Sequence, residues 1–226
     1  MKKPMIISIE GNIGTGKSTL LHDLQYVIDP LKVILFKEPI DKWFKIKNLK
    51  EETILTKFYE DPSKYSFSFQ IMVLKTLYEV MMQIIKNNPN CEVIICERCI
   101  LSSNHVFTKM LYDENLMNEI EYKLYQDIYN MWCSDEIIPN KIIYLQASPI
   151  ECFNRIHKRN RVGENYIQLN YLQKCEKYYN EFIDLYKDRI NIVKIDVEID
   201  FEKNSDHLSY EKYRQDLLLT ILGATK

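Results

Sequence analysis

Five short apolar runs punctuate the chain, at residues 5–9, 33–36, 93–96, 141–145 and 190–195. Their unbroken hydrophobicity is the pattern of strands buried on both faces of a parallel sheet. Segments with a helical apolar period separate them, the longest around residues 65–87. Strands alternating with helices in this way predict a doubly wound α/β fold with a central parallel five-stranded sheet flanked by helices. One helix start is explicit: Ser148-Pro149-Ile150-Glu151 sets a capping Ser before a first-turn Pro, with Glu at the third helical position. No repeat, low-complexity tract or Pro/Gly-rich linker interrupts the pattern, so a single domain over residues 1–226 is expected.

Composition narrows the class. With 226 residues, 46% hydrophobic and 27% charged, the chain can bury about 70% of its unfolded surface, as a globular domain does. A net charge of −2 argues against a protein built to grip a nucleic-acid backbone. Six cysteines are scattered among core-like segments, as suits free thiols in a reducing compartment. Cys96-Glu97-Arg98-Cys99 is formally a CxxC, without a second ligand pair at zinc spacing. No apolar run approaches the roughly 20 residues of a membrane span, and the first strand begins too early to leave room for a targeting peptide. A soluble cytoplasmic protein is therefore expected, with no membrane and no nucleic acid among its partners.

The chemistry begins directly after the first strand. Gly11-Asn12-Ile13-Gly14-Thr15-Gly16-Lys17-Ser18-Thr19 fits the phosphate-cradling loop G-x-x-x-x-G-K-[ST], and a helical pattern follows it. Glycines let backbone N–H groups turn inward around phosphate oxygens. Lys17 is expected to reach the terminal phosphates of a nucleotide, and the Ser18 hydroxyl to bind Mg²⁺. The phosphates would lie at a helix N-terminus, where free amides and the dipole favour anions.

Ligands of such sheets bind beyond the C-terminal strand ends, which selects two further places. Glu38-Pro39 follows strand two, and Glu97-Arg98 ends strand three. Phosphoryl transfer to a hydroxyl needs in-line positioning, cations around the moving group and an acceptor for the hydroxyl proton. Glu38 is the candidate base. Glu97 competes for that role, but it would sit nearer Mg²⁺ and complete the shell begun by Ser18. Arg98 could pin Glu38 or the acceptor oxygen.

A third cluster supplies cations. Arg155 and Arg159 are i,i+4 on one helical face, and Arg161 follows past the helix end. A basic lid over about residues 155–166 would stabilise transition-state charge on a triphosphate; the competing reading is a basic helix end complementing its own dipole. On the long helix, Gln70 offers donor and acceptor together, matching a nucleobase edge. The aromatics Phe69, Phe107 and Trp43 could sandwich such a base.

These ordered motifs resemble the deoxynucleoside kinase family, whose members include deoxycytidine, deoxyguanosine and mitochondrial thymidine kinases and the insect broad-specificity enzyme. The resemblance runs from residue 11 to about residue 201. It rests on residues 11–19, Glu38-Pro39 with Trp43, Tyr59 before Phe67-Ser68-Phe69-Gln70, Glu97-Arg98 with Ser102, and Arg155, Arg159 and Arg161 with Glu164. It implies a P-loop kinase fold and ATP-dependent phosphorylation of a deoxynucleoside 5′-hydroxyl. Glu38 would be the base, with Arg98 beside it and Glu97 near Mg²⁺. Gln70 would pair with the nucleobase, and Tyr59 and Glu164 would hold the deoxyribose 3′-hydroxyl. Asp200-Phe201 would border the adenine of ATP, and a homodimer would be the assembly.

Departures bear on the substrate. Deoxycytidine- and purine-preferring members set an Arg on the long helix against an Asp shortly after the Glu-Arg motif. Here the matching positions are Leu77 and Ser103. Without that charged pair the pocket has room for a 5-methyl group, so the resemblance implies a pyrimidine deoxynucleoside kinase using thymidine as well as deoxycytidine. Two rival readings are a nucleoside monophosphate kinase and a non-catalytic nucleotide-binding module. The first would need a cationic site for the acceptor's phosphate, where Glu38 would repel it. The second would not require Glu38, Arg98 and the lid arginines together.

Overall fold

The computed structural model describes residues 3–161 and 163–198. The strands are β1 (Met5–Glu10), β2 (Val33–Phe36), β3 (Val93–Glu97), β4 (Lys141–Gln146) and β5 (Asn191–Asp196). They form one parallel sheet in the order β2-β3-β1-β4-β5, as the apolar runs predict. The three inner strands are buried almost throughout, whereas the edge strands β2 and β5 keep partial exposure. Crossover helices on both faces are what bury the middle of a parallel sheet.

Side chains alternate between the two faces. Ile7, Ile9, Val93, Ile95 and Leu145 meet Leu20, Leu21 and Leu24 of the short helix α1 (Lys17–Leu24). The opposite face, with Ile6, Ile94, Cys96 and Ile142, carries the larger helical layer. That layer includes α2 (Ile40–Phe44), α3 (Ile54–Glu60) and α4 (Pro62–Asn87). Beyond β3 come α5 (Ile100–Ser102), a π-helical stretch Ser103–Thr108, α6 (Lys109–Asp113) and α7 (Glu119–Trp132). After β4 the chain forms α8 (Pro149–Arg159), a 3₁₀ turn Glu164–Tyr166 and α9 (Leu169–Tyr186).

Four strands, β1, β3, β4 and β5, run one residue past their apolar runs, and two further boundaries differ. The long helix starts at Pro62, with the Asp61 carboxylate accepting from the Lys64 N–H, because its first turn is polar and carries no periodic signal. Ile190 precedes β5, buried against the core at the turn rather than paired in the strand. The Ser148 cap forms as expected, its hydroxyl accepting from the Glu151 N–H at 3.2 Å. Register then sets the function: Ile9 pairs with Glu97 and Phe36 with Cys96, so β1, β2 and β3 end at one rim.

Candidate active site

The phosphate-loop sequence folds tightly between β1 and α1. Gly11 has φ +144° and Gly14 φ +92°, conformations that side chains resist. A Cβ on Gly11 would lie 2.6 Å from the Leu145 carbonyl oxygen, and one on Gly14 2.5 Å from that of Cys152. Asn12 pins the loop to α9 by donating from Nδ2 to the Leu172 carbonyl at 2.8 Å, while its Oδ1 accepts from the Ile13 N–H. The Thr15 hydroxyl donates to the Asn12 carbonyl. Gly16, in the left-handed region, precedes α1. Thr19, one position past Ser18, is exposed and does not line the cleft.

Lys17 is buried, and its Nζ donates to the carbonyls of Gly11 (3.0 Å) and Asn12 (2.7 Å). Burial, then the nearby Arg98 guanidinium, pushes its pKa down to about 7 against the pull of three carboxylates. The Ser18 hydroxyl sits 2.9 and 3.0 Å from the two oxygens of Glu97. A hydroxyl and a carboxylate are the hard oxygen donors that suit Mg²⁺. Among the described residues no cluster of three or more His, Cys, Asp or Glu is placed to hold a metal, so an ion here would take its remaining ligands from phosphate and water.

Across the cleft, Arg98 Nη1 donates to Glu38 Oε2 at 2.6 Å, with each side chain 9% exposed. Burial raises the pKa of Glu38 above the ordinary carboxylate value, and Arg98 works against that rise. Burial opposes the charge on Arg98, but Glu38, Tyr179 and Glu97 together outweigh it and keep the guanidinium protonated. Arg98 also donates from Nε to the Tyr179 hydroxyl at 3.3 Å and lies 5.0 Å from the centre of the Phe107 ring.

The cleft spans about 730 Å³, open solvent at its mouth included, and runs from the phosphate loop into the space between α4 and the π-helical stretch. Gln70, buried on α4, lines it with its Oε1 accepting from the Thr108 hydroxyl at 3.4 Å. Phe69 stacks on Phe58 (4.5 Å, 12°) and meets Trp43 edge-on (5.5 Å, 81°). Trp43 is fixed by its indole N–H donating to the Thr76 hydroxyl. Leu77 and Ser103 both line this end, and the Ser103 hydroxyl lies 3.3 Å from that of Tyr125. Phe107, four residues on in the π-helical stretch, forms the other wall; such stretches recur at functional sites. Tyr59, on α3 packed against the 3₁₀ turn that carries Glu164, has its hydroxyl pKa pushed up by burial and then by Glu164.

Arg159 grips buried Glu164 through two bonds, Nε to Oε2 at 2.8 Å and Nη2 to Oε1 at 2.7 Å, and Arg161 adds a contact at 3.3 Å. All three line the cleft. Asn160, with φ +46°, ends α8 and turns the chain back between the two arginines. Arg155 is not brought to them. Its guanidinium pairs with Glu151 and donates to the Val197 carbonyl at 2.8 Å, towards the end of β5. Asp200 and Phe201 lie outside the described residues.

Sequence reasoning missed Tyr171, which forms a cleft wall, and Tyr179, which meets Arg98. Both belong to one stripe of α9 with Cys175 between them, a helical-face signal that reads as ordinary core. It also missed Ser8 and Glu10, polar residues at alternate positions of an otherwise apolar strand.

Comparison with known proteins places this geometry among relatives. Residues 7–213 match the family model described as deoxynucleoside kinase. The chain is 30% identical to the deoxycytidine kinase of Rattus norvegicus, across 95% of this chain and 91% of that protein. It is 28% identical to the mitochondrial deoxyguanosine kinase of Xenopus laevis, across 88% and 83% of the two chains. A putative kinase, 029R, of Invertebrate iridescent virus 3 is 35% identical across 77% of this chain and 80% of its own.

Proposed function

Because the chain belongs to the deoxynucleoside kinase family, and so is a phosphotransferase acting on a hydroxyl acceptor with ATP as donor, we propose that it phosphorylates pyrimidine deoxynucleosides at the 5′-hydroxyl, thymidine as well as deoxycytidine. The observation that carries this reading is the buried Glu38–Arg98 pair at 2.6 Å, in the same cleft as Lys17 and Ser18. Glu38 accepts the proton of the 5′-hydroxyl, and its raised pKa brings it nearer the range of an effective general base. Arg98 orients that carboxylate. Lys17, Arg159 and Arg161 carry the charge of the moving phosphoryl group. Ser18 and Glu97 hold Mg²⁺, which supplies charge neutralisation to the phosphates when bound.

Gln70 reads the nucleobase edge between Phe107 and the Trp43–Phe69 pair, while Tyr59 and Glu164 hold the deoxyribose. Thymidine use is supported by Leu77, an uncharged and buried residue at the base end of the cleft, with Ser103 turned partly towards Tyr125. The domain works as one unit with a lid at about residues 155–166. A homodimer is supported by α7, which exposes Ile120 (79%), Leu124 (48%) and Met131 (76%) along one side. The cysteines, unpaired among the described residues, suit the cytoplasm, and no described helix is long and apolar enough to cross a membrane.

A nucleoside monophosphate kinase would need a cationic seat for the acceptor's phosphate, and Glu38 occupies that place. The test is a parallel assay with ATP and Mg²⁺, offering thymidine, deoxycytidine, deoxyguanosine, deoxyadenosine and thymidine monophosphate. Monophosphates from thymidine and deoxycytidine are expected. Product from deoxycytidine or purines alone would overturn the thymidine reading, and diphosphate from thymidine monophosphate alone would overturn the assignment of Glu38.

A further inference from the structure

Glu10 closes β1 directly before the phosphate loop and is 0% exposed. It does not line the cleft. A carboxylate so deeply buried must have donors around it, and Glu10 has four. Its Oε1 lies 2.6 Å from the Ser8 hydroxyl, 3.0 Å from the Ser102 hydroxyl and 3.0 Å from the Cys99 N–H; its Oε2 accepts from the Tyr179 hydroxyl at 3.3 Å. Tyr179 in turn accepts from Arg98 Nε at 3.3 Å, and Arg98 donates to Glu38. Donor and acceptor roles are thus consistent along the chain from Glu38 to Glu10.

The backbone at Arg98 shows why such a brace is needed. Arg98 has φ +63°, a left-handed conformation unfavourable for a side chain of this kind. A strand that continued past Glu97 would send residues 97 and 98 to opposite faces of the sheet. The left-handed turn lets Glu97 and Arg98 both line the cleft. The turn is held on either side: the Arg98 N–H donates to the Ile9 carbonyl at 3.0 Å, and the next N–H, of Cys99, donates to Glu10.

We infer that Glu10 and Tyr179 are positioning residues: together they hold the Arg98 turn and guanidinium in place, and through Arg98 they set the orientation of Glu38 for proton abstraction. Neither lines the cleft. The brace also runs across the fold, since Tyr179 belongs to α9 and Glu10 to β1. The inference rests on the reading of Glu38 as the base.

The test is Tyr179→Phe, which removes one oxygen and keeps the buried ring. Losing one hydrogen bond to a charged group should lower kcat about ten- to a hundredfold, with the KM for nucleoside held within about threefold. Arg98 lowers the Glu38 pKa, so a looser Arg98 should move the acid limb of the pH–kcat profile to higher pH. Tyr178→Phe is the control: that hydroxyl donates to Asp113 at 2.7 Å, outside the site, and turnover should be unchanged. In a Glu38→Gln background, Tyr179→Phe should add no further loss.

Wild-type turnover in Tyr179→Phe, or an equal further loss in the Glu38→Gln background, overturns the positioning role. A lowered Tm with an unmoved acid limb overturns it too, and leaves Tyr179 as core. Near-wild-type turnover of Glu38→Gln alone overturns the base reading instead, whatever Tyr179→Phe does.

Discussion

Glu38 and Arg98 stand 60 positions apart in the chain, yet Oε2 of one lies 2.6 Å from Nη1 of the other at the rim where β2 and β3 end side by side. Two charges with little access to solvent are retained at high cost unless each satisfies the other. The pair leaves a carboxylate that is oriented and less acidic than usual, beside the lysine of a phosphate loop.

Glu38→Gln keeps the shape and a hydrogen-bonding oxygen but cannot take a proton. Steady-state kinetics should show kcat reduced roughly 10²–10⁴-fold with the nucleoside KM little changed. In the wild type, kcat should fall at the acid end with an apparent pKa above 4.5, because burial raises that of Glu38. Near-wild-type turnover in the variant would pass the role of base to Glu97.

Lys17 should make nucleotide binding depend on pH. Its pKa in the folded protein is about 7, against 10.5 ordinarily, so the unfolded chain holds more protons between those values. This group therefore makes the stability of the ligand-free protein rise with pH from about 7 towards 10.5. Phosphate oxygens favour the charged amine, so ATP binding should take up protons near pH 8, and affinity should weaken as pH rises. Calorimetry in two buffers of different ionisation enthalpy measures that uptake; none at pH 8 would contradict the depressed pKa.

The base end of the cleft is testable by exchanging its character. Leu77→Arg with Ser103→Asp places a charged pair where the wall is now uncharged. The ratio of kcat/KM for thymidine over deoxycytidine or a purine should fall at least tenfold, about 1.4 kcal/mol of discrimination. An unchanged ratio would show that these positions do not border the base.

Gly14→Ala tests the cradle itself. The added methyl would meet the Cys152 carbonyl at 2.5 Å, in a backbone conformation with φ +92°. A cost on the order of 1–3 kcal/mol should appear as a lower Tm, with ATP binding lost before nucleoside binding. Equal Tm and equal affinity for ATP would place the loop further from α8.

Much of this site is legible along the chain because it lies at strand ends, where a change from apolar to polar residues is a local event. Gly11 to Ser18, Glu38 and Glu97-Arg98 each begin within two residues of the end of an apolar run, and the parallel register brings those ends to one rim. Arg155 shows the limit of such reasoning. Helical spacing aligns it with Arg159, but Glu151 and the Val197 carbonyl draw its guanidinium elsewhere.

The sequence by itself determined the alternation of strands and helices, the phosphate loop and the carboxylates beyond the strands, since each depends on residues within a few positions of one another. Only the tertiary structure decided which charges meet. Arg98 finds Tyr179 across 81 positions, and Tyr179 finds Glu10 across 169. Tyr179 carries no local mark of function, and Glu10 only that of a polar residue in an apolar strand, because a buried polar group is defined by the donors and acceptors that folding brings around it.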